Sequence, residues 1–242
     1  MSTENITLYT SSECPFCHRV ELALAETGQQ HRRQEISLAS KPEWYTSQVN
    51  TLGKVPTLAY GGPEVPADQP SSESVKINES LILLDFVNDI DPEHRLLPKD
   101  PVQRVRVRAF IDAVGAISSV FYGSIIKGED PHRILTGIES VQKHLSPTSK
   151  YAVGDEFTLA DASVLPFFAR AEASFKHDAG LYPSGTGVKL WESLQNDEKF
   201  APFRRYYDTL KQRESFKKTF DEEWTRQYYV KRFNLTDRGQ KL

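Results

Sequence analysis

The chain changes character once, across residues 91–101, and that change limits the folds open to it. Up to residue 90, strand signals alternate with helix signals. Ile6–Thr10, ITLYT, is a short apolar run of the strand type, followed by a turn at Ser11, Ser12 and Glu13. Pro15 then suits a first helical position, because its missing N–H would be unpaired there in any residue. Val20, Ala23, Leu24 and Thr27 follow on one helix face, and Gly28 ends the helix. Residues 31–37, HRRQEIS, read as a second strand, and residues 41–50, KPEWYTSQVN, as a short helix or turn. Residues 55–60, VPTLAY, are a third strand begun by a proline, and residues 75–77 a fourth. Residues 79–90, ESLILLDFVNDI, form an apolar helix. Segment 61–74, GGPEVPADQPSSES, is too long for a tight hairpin turn and reads as a mobile surface loop.

The stretch DPEHRLLPKDP at 91–101 carries three prolines and reads as a linker. Beyond it no convincing strand appears. Residues 102–127 predict one long helix with Phe110, Val114, Ile117 and Phe121 on a common face. Thr158, Leu159, Ala160 and Asp161 spell a capping box, with a hydroxyl at the N-cap and an acid at N3. Helical patterns continue to about residue 220, and the tail beyond mixes charge with Trp224, Tyr228, Tyr229 and Phe233. Such a tail is ordered if it docks and frays if it does not. The expected fold is therefore an α/β, thioredoxin-like domain over 1–91, of order β-α-β-α-β-β-α with a central proline. An all-α bundle over 102–242 follows it.

Bulk properties exclude several function classes. Lys and Arg number 30 against 33 Asp and Glu, for a net charge of −3, so nucleic acid and anionic membrane surfaces are not expected partners. No apolar run is read as a membrane span, and the start, MSTENITLYT, shows no secretory pattern. Two cysteines are too few for a disulfide scaffold, so a cytoplasmic, reducing compartment is expected.

Both cysteines fall within residues 14–18, C-P-F-C-H, a spelling shared by three chemistries. Haem attachment lacks an export context, and Met1 is the only methionine, so no Met axial ligand is available. Zinc would need two more ligands, and the six histidines offer no pair at the required spacing. Neither metal nor haem is expected. A thiol redox centre has positive support. Cys14 precedes a helix whose first-turn N–H groups and partial positive charge favour thiolate over thiol, the form that attacks disulfides. The bland alternative, two small buried hydrophobes, is weak for a cysteine followed by proline at a strand-to-helix turn.

These residues resemble the cytosolic glutathione transferases, and most closely their omega class. The resemblance rests on SSECPFCHRVELAL (11–24), KPEWY (41–45), GKVPTL (53–58), NES (78–80), the linker LLPKDP (96–101) and the capping box TLAD (158–161). It implies the two-domain glutathione transferase architecture and glutathione as co-substrate. The implied activity is thiol transfer and reduction through a mixed disulfide between Cys14 and glutathione. It further implies that Phe16 lines the glutathione pocket and that Lys41 pairs with the glycyl carboxylate. Val55, before a Pro56 expected to be cis, would offer its backbone to the cysteinyl part, while Glu79 and Ser80 would hold the γ-glutamyl end. Read alone, Lys41 is a solvated lysine and Glu79 a helix-start acid. A homodimer is implied, as is a hydrophobic or aromatic second substrate, with Phe121, Tyr122, Phe168 and Trp191 as candidate lining. The alternative function is a binding protein that holds aromatic or polyphenolic compounds in the cleft between the domains.

Two departures stand out. Many omega members have alanine where this chain has Cys17, so Cys17 is either a resolving thiol or a packing residue, and packing is favoured because glutathione itself can open the intermediate. Segment 61–74 is also longer than the usual hairpin of the family.

Overall fold

The computed structural model describes residues 4–235. The chain divides into two compact units, Met1–Pro98 and Lys99–Leu242.

The first unit is built on a four-stranded sheet of order β2-β1-β3-β4. Its strands are β1 (Ile6–Thr10), β2 (Arg32–Glu35), β3 (Thr57–Tyr60) and β4 (Val75–Asn78). β1 runs parallel to β2 and antiparallel to β3, and β3 is antiparallel to β4. The parallel pair needs a crossover, which α1 (Pro15–Thr27) supplies. Gly28 closes that helix in the left-handed region at φ 65°, a conformation that costs glycine nothing. Alternation along β1 separates the two faces of the sheet. Leu8 and Thr10 face α1, and Thr10 Oγ1 donates to Glu21 of that helix at 2.9 Å. α3 (Ser80–Ile90) packs beside α1, and Val20, Leu24, Leu83, Leu84 and Val87 are buried. On the other face Tyr9 and Ala59 join Ile36, Tyr45 and Val49 in a cluster, with α2 (Glu43–Gln48) supplying Tyr45 and the adjoining Trp44.

Segment 61–74 is tethered, contrary to the reading of it as a mobile loop. Arg32 pairs with Glu64 at 2.8 Å and donates to the Val65 carbonyl. Tyr9 Oη donates to the Ala67 carbonyl at 3.0 Å, and Lys76 Nζ donates to the Ser71 and Ser74 carbonyls. The segment folds over the Tyr9 face of the sheet and encloses a cavity of about 550 Å³ there. Sequence pattern could not show this, because Arg32 and Tyr9 reach the segment through tertiary contacts.

The second unit is helical among the described residues. The helix expected over 102–127 is broken into α4 (Pro101–Ala113), α5 (Ile117–Phe121) and a π-turn at Tyr122–Ile126. The expected face is buried nonetheless: Phe110, Val114, Ile117 and Phe121 are all at most 5 % exposed. The stretch Pro101–Ile126 is, by length and composition, long and apolar enough to cross a membrane, against the reading that no run was. Here α4 and α5 pack on α7 (Leu159–Lys176), and α5 also packs on α6 (Arg133–Gln142), so the apolar residues serve a protein core. α7 is the buried axis of the unit and is touched by α8 (Thr186–Asn196), α9 (Ala201–Lys211) and α11 (Glu222–Arg232), while α10 (Glu214–Thr219) adjoins α9. The capping box closes as expected: Thr158 Oγ1 accepts from Ala160 N–H at 3.3 Å and Asp161 accepts from Thr158 N–H at 2.8 Å. The tail docks over its described part. α11 packs on α7 and buries Tyr229, whereas residues 236–242 lie outside the described residues.

Candidate active site

Cys14 stands between β1 and α1. Its N–H donates to the Ser11 carbonyl at 3.0 Å, closing the turn, and its carbonyl accepts from His18 N–H, the first bond of the helix. It is therefore the N-cap, with Pro15 at N1, and its side chain is 6 % exposed. The Cys14 side chain makes no cap hydrogen bond to α1. The positive end of α1 still faces Cys14, because the dipole belongs to the backbone.

Cys17 is fully buried one turn on. Its sulfur accepts from the Ser11 N–H at 3.3 Å and is hydrogen-bonded to Cys14. Burial, and then that bond to Cys14, push the Cys17 thiol well above its ordinary range. A thiol held protonated can donate S–H to its neighbour, so the pair is asymmetric: a protonated Cys17 stabilises negative charge on Cys14. Neither cysteine is joined in a disulfide.

Phe16 is half-buried, and the Arg19 guanidinium lies 5.2 Å from its ring centroid. Arg19 is buried and donates to Ser80 Oγ at 3.1 Å. This one side chain links the α1 end of the site to the start of α3. Arg19 was not among the site residues expected from the sequence. Its spacing of i+3 from Phe16, on a helix otherwise rich in buried apolar residues, was the available signal.

Val55 and Pro56 are joined by a cis peptide bond, as expected. Val55 is half-buried against the Tyr9–Tyr45 cluster. Among the described residues its backbone N–H and C=O form no hydrogen bond, since β3 begins two residues later. Lys41 is exposed, and its stem passes over Gly53, where a Cβ would sit 3.4 Å from Lys41 Cδ. Gly53 itself needs φ 62°. Lys41 makes no ion pair among the described residues, so the bland reading as a solvated lysine describes the structure without ligand. Glu79 is the N-cap of α3 with φ 69° and ψ 114°. A non-glycine residue held there stores strain of about 1–3 kcal/mol, and such strain gathers at binding sites. Its carboxylate is exposed and has no partner among the described residues.

The structure brings these residues together in two groups. Phe16, Arg19 and Ser80 form one chain of contacts, and Cys14 caps the helix that carries Phe16 and Arg19. Val55–Pro56 and Glu79 form another, bridged by the Thr57 hydroxyl donating to Asn78 Oδ1 at 2.6 Å. Of the four aromatics suggested for a second substrate, Phe121 and Phe168 are core. Phe121 packs edge-on to Phe167, and Phe168 edge-on to Phe203, and both are nearly fully buried. Helical spacing does not separate a lining aromatic from a core one. The cavity under segment 61–74 contains none of the expected site residues.

Residues 13–90 match the glutathione S-transferase N-terminal domain, and residues 132–209 its C-terminal domain. Glutathione transferase Omega 1C from Trametes versicolor is 44% identical with a TM-score of 0.90, the match covering 96% of this chain and 97% of that one. Omega 2S from the same organism, solved in complex with 2,4-dihydroxybenzophenone, is 40% identical with a TM-score of 0.87, covering 96% of this chain and 100% of that one. A maleylacetoacetate isomerase of Rattus norvegicus is 30% identical over 190 residues, 73% of this chain and 81% of the isomerase. Taken with the cysteine at the helix start, these similarities mean that the chain belongs to the glutathione S-transferase family, as an enzyme of the omega class.

Proposed function

We propose that this enzyme carries out glutathione-dependent thiol transfer and reduction, including deglutathionylation and dehydroascorbate-type reduction, through a mixed disulfide at Cys14. The observation that carries the reading is the position of Cys14 as N-cap of α1, beside a Cys17 held as thiol. In the first step the Cys14 thiolate attacks the glutathionyl sulfur of a mixed disulfide R–S–S–G. The Cys14–S–S–G bond forms, and RS⁻ leaves and takes a proton from solvent. A second glutathione thiolate then attacks the glutathionyl sulfur, restores Cys14 as thiolate and releases glutathione disulfide. The R–S group is reduced to a thiol and one free glutathione is oxidised, so one disulfide replaces another and the electrons balance.

Glutathione is held by the residues the resemblance assigns. Phe16 lines the pocket, and Lys41 supplies a point charge for the glycyl carboxylate. The unpaired Val55 backbone, set by Pro56, pairs with the cysteinyl part as an added strand would. The Ser80 end of α3 takes the γ-glutamyl carboxylate, and the partnerless Glu79 accepts from its ammonium. The second substrate is hydrophobic or aromatic, in keeping with the benzophenone bound by the Trametes relative. A homodimer in the cytoplasm completes the proposal. Leu81 and Ile82 on α3, and Val102 and Val105 on α4, are apolar and exposed, as surfaces covered by a second copy would be.

The test is a panel of three reactions on wild type and Cys14→Ser: a mixed disulfide of glutathione with a small thiol, a chloronitrobenzene electrophile, and maleylacetoacetate isomerisation. Disulfide reduction should dominate and vanish in Cys14→Ser. Dominant conjugation or isomerisation, surviving in Cys14→Ser, would overturn the reading.

A further inference from the structure

We infer that Tyr45 and Asn50 are positioning residues for glutathione, which aim the backbone N–H of Val55 by holding the carbonyl of Lys54. The inference rests on the reading that Val55 binds glutathione. The Lys54–Val55 bond is a trans peptide, so the Lys54 C=O and the Val55 N–H lie in one rigid plane and point in opposite directions. Whatever fixes the carbonyl therefore fixes the N–H.

Two side chains from α2 and its exit converge closely on that carbonyl, with Thr57 Oγ1 farther off at 3.5 Å. Tyr45 Oη donates at 2.5 Å and Asn50 Nδ2 at 2.9 Å. Tyr45 is fully buried, and burial pushes its phenol up to about 12, so it stays a donor across the physiological range. Asn50 is 6 % exposed, and its own Oδ1 accepts from Leu52 N–H at 3.0 Å, which sets the amide orientation. The network reaches the far side of the Val55–Pro56 step. Tyr45 Oη contacts Thr57 Oγ1 at 3.1 Å, and Asn50 Nδ2 lies 2.9 Å from Asn78 Oδ1, next to Glu79. The inward pull on Lys54 leaves the Val55 N–H facing away from the network, consistent with its having no partner among the described residues. A carbonyl that accepts two hydrogen bonds also polarises its amide, making the N–H a stronger donor.

The test compares Tyr45→Phe with Tyr9→Phe. Both remove one hydroxyl from the same buried aromatic cluster, but Tyr9 donates to Ala67, away from Lys54. S-methylglutathione, which cannot form a disulfide, is titrated by calorimetry, and Cys14 alkylation by iodoacetamide is measured without ligand. Tyr45→Phe should bind roughly tenfold more weakly, with KM for glutathione rising and kcat kept, while its alkylation rate stays near wild type. Tyr9→Phe should bind as wild type does. Equal binding by all three proteins, or an equal loss in both variants, would overturn the inference. If Tyr45→Phe does not fold, Asn50→Ala, which removes the other donor to Lys54, is titrated in its place: weaker binding at an unchanged alkylation rate is expected, and binding equal to wild type would overturn the inference. Failure of wild type to bind S-methylglutathione would instead refute the proposed function.

Discussion

One helix turn separates two sulfurs with opposite surroundings. Cys14 sits at the positive end of α1, and Cys17 is sealed in the core below it. The asymmetry predicts a monothiol cycle. A buried, protonated thiol is a poor attacking group, and free glutathione needs no repacking to open the mixed disulfide. Cys17→Ala should therefore keep most of the thiol-transfer rate. It should also raise the alkylation midpoint of Cys14, because a donor to the thiolate is lost. A pH profile of iodoacetamide reaction checks the midpoint and a mixed-disulfide assay the rate; a collapse of transfer in Cys17→Ala would show that Cys17 resolves the disulfide. The place of Cys14 at a helix start was legible in the sequence because Pro15 marks that start. Arg19 was not, since its bond to Ser80 joins residues far apart in the chain.

Elements show the same division between local and distant signals. The α1 cap, the cis step at Val55–Pro56 and the α7 capping box are short patterns, and each appears where the sequence placed it. The capping box is larger than its motif. Asp161 is fully buried and also accepts from Ala152 N–H at 2.9 Å and Tyr206 Oη at 2.8 Å. Burial pushes its carboxyl up, and these donors oppose that. Thr158→Ala should cost about 1–2 kcal/mol in urea unfolding. Asp161→Ala strands buried donors from three elements and should cost about 3 kcal/mol or more; equal losses would limit Asp161 to the motif. The tether of segment 61–74 was invisible in sequence because it depends on Arg32 and Tyr9. Arg32→Ala should open the segment to limited proteolysis at little cost in global stability, as its ion pair with Glu64 is largely exposed. Unchanged cleavage would assign the tether to Tyr9 and Lys76.

For the whole molecule, strand and helix periodicity distinguished an α/β half from a helical half, since that distinction is written along the chain. The ordering of the tail was not, because α11 is held by contacts to α7. Lys176 Nζ at 2.9 Å and His177 Nε2 at 3.1 Å both meet Glu222. Partial burial raises the Glu222 carboxyl, and the bonds from Lys176 and His177 outweigh it, leaving it below the usual range. A depressed carboxyl stabilises the fold above its unfolded pKa, and that contribution is lost as pH falls through the folded value. Amide exchange in α11, corrected for the intrinsic rate, should therefore quicken in wild type as pH falls below the usual carboxylate range, and Glu222→Gln should lose that pH dependence. The same rate change in Glu222→Gln would place the acid response elsewhere. The central claim, that Cys14 alone carries glutathione, is tested most directly by intact mass after incubation with glutathione disulfide. Wild type and Cys17→Ala should each gain one glutathionyl group, removable by a reductant, and Cys14→Ser should gain none. A wild-type product that has instead lost two hydrogens, as a Cys14–Cys17 disulfide, or an adduct that persists in Cys14→Ser, would contradict it.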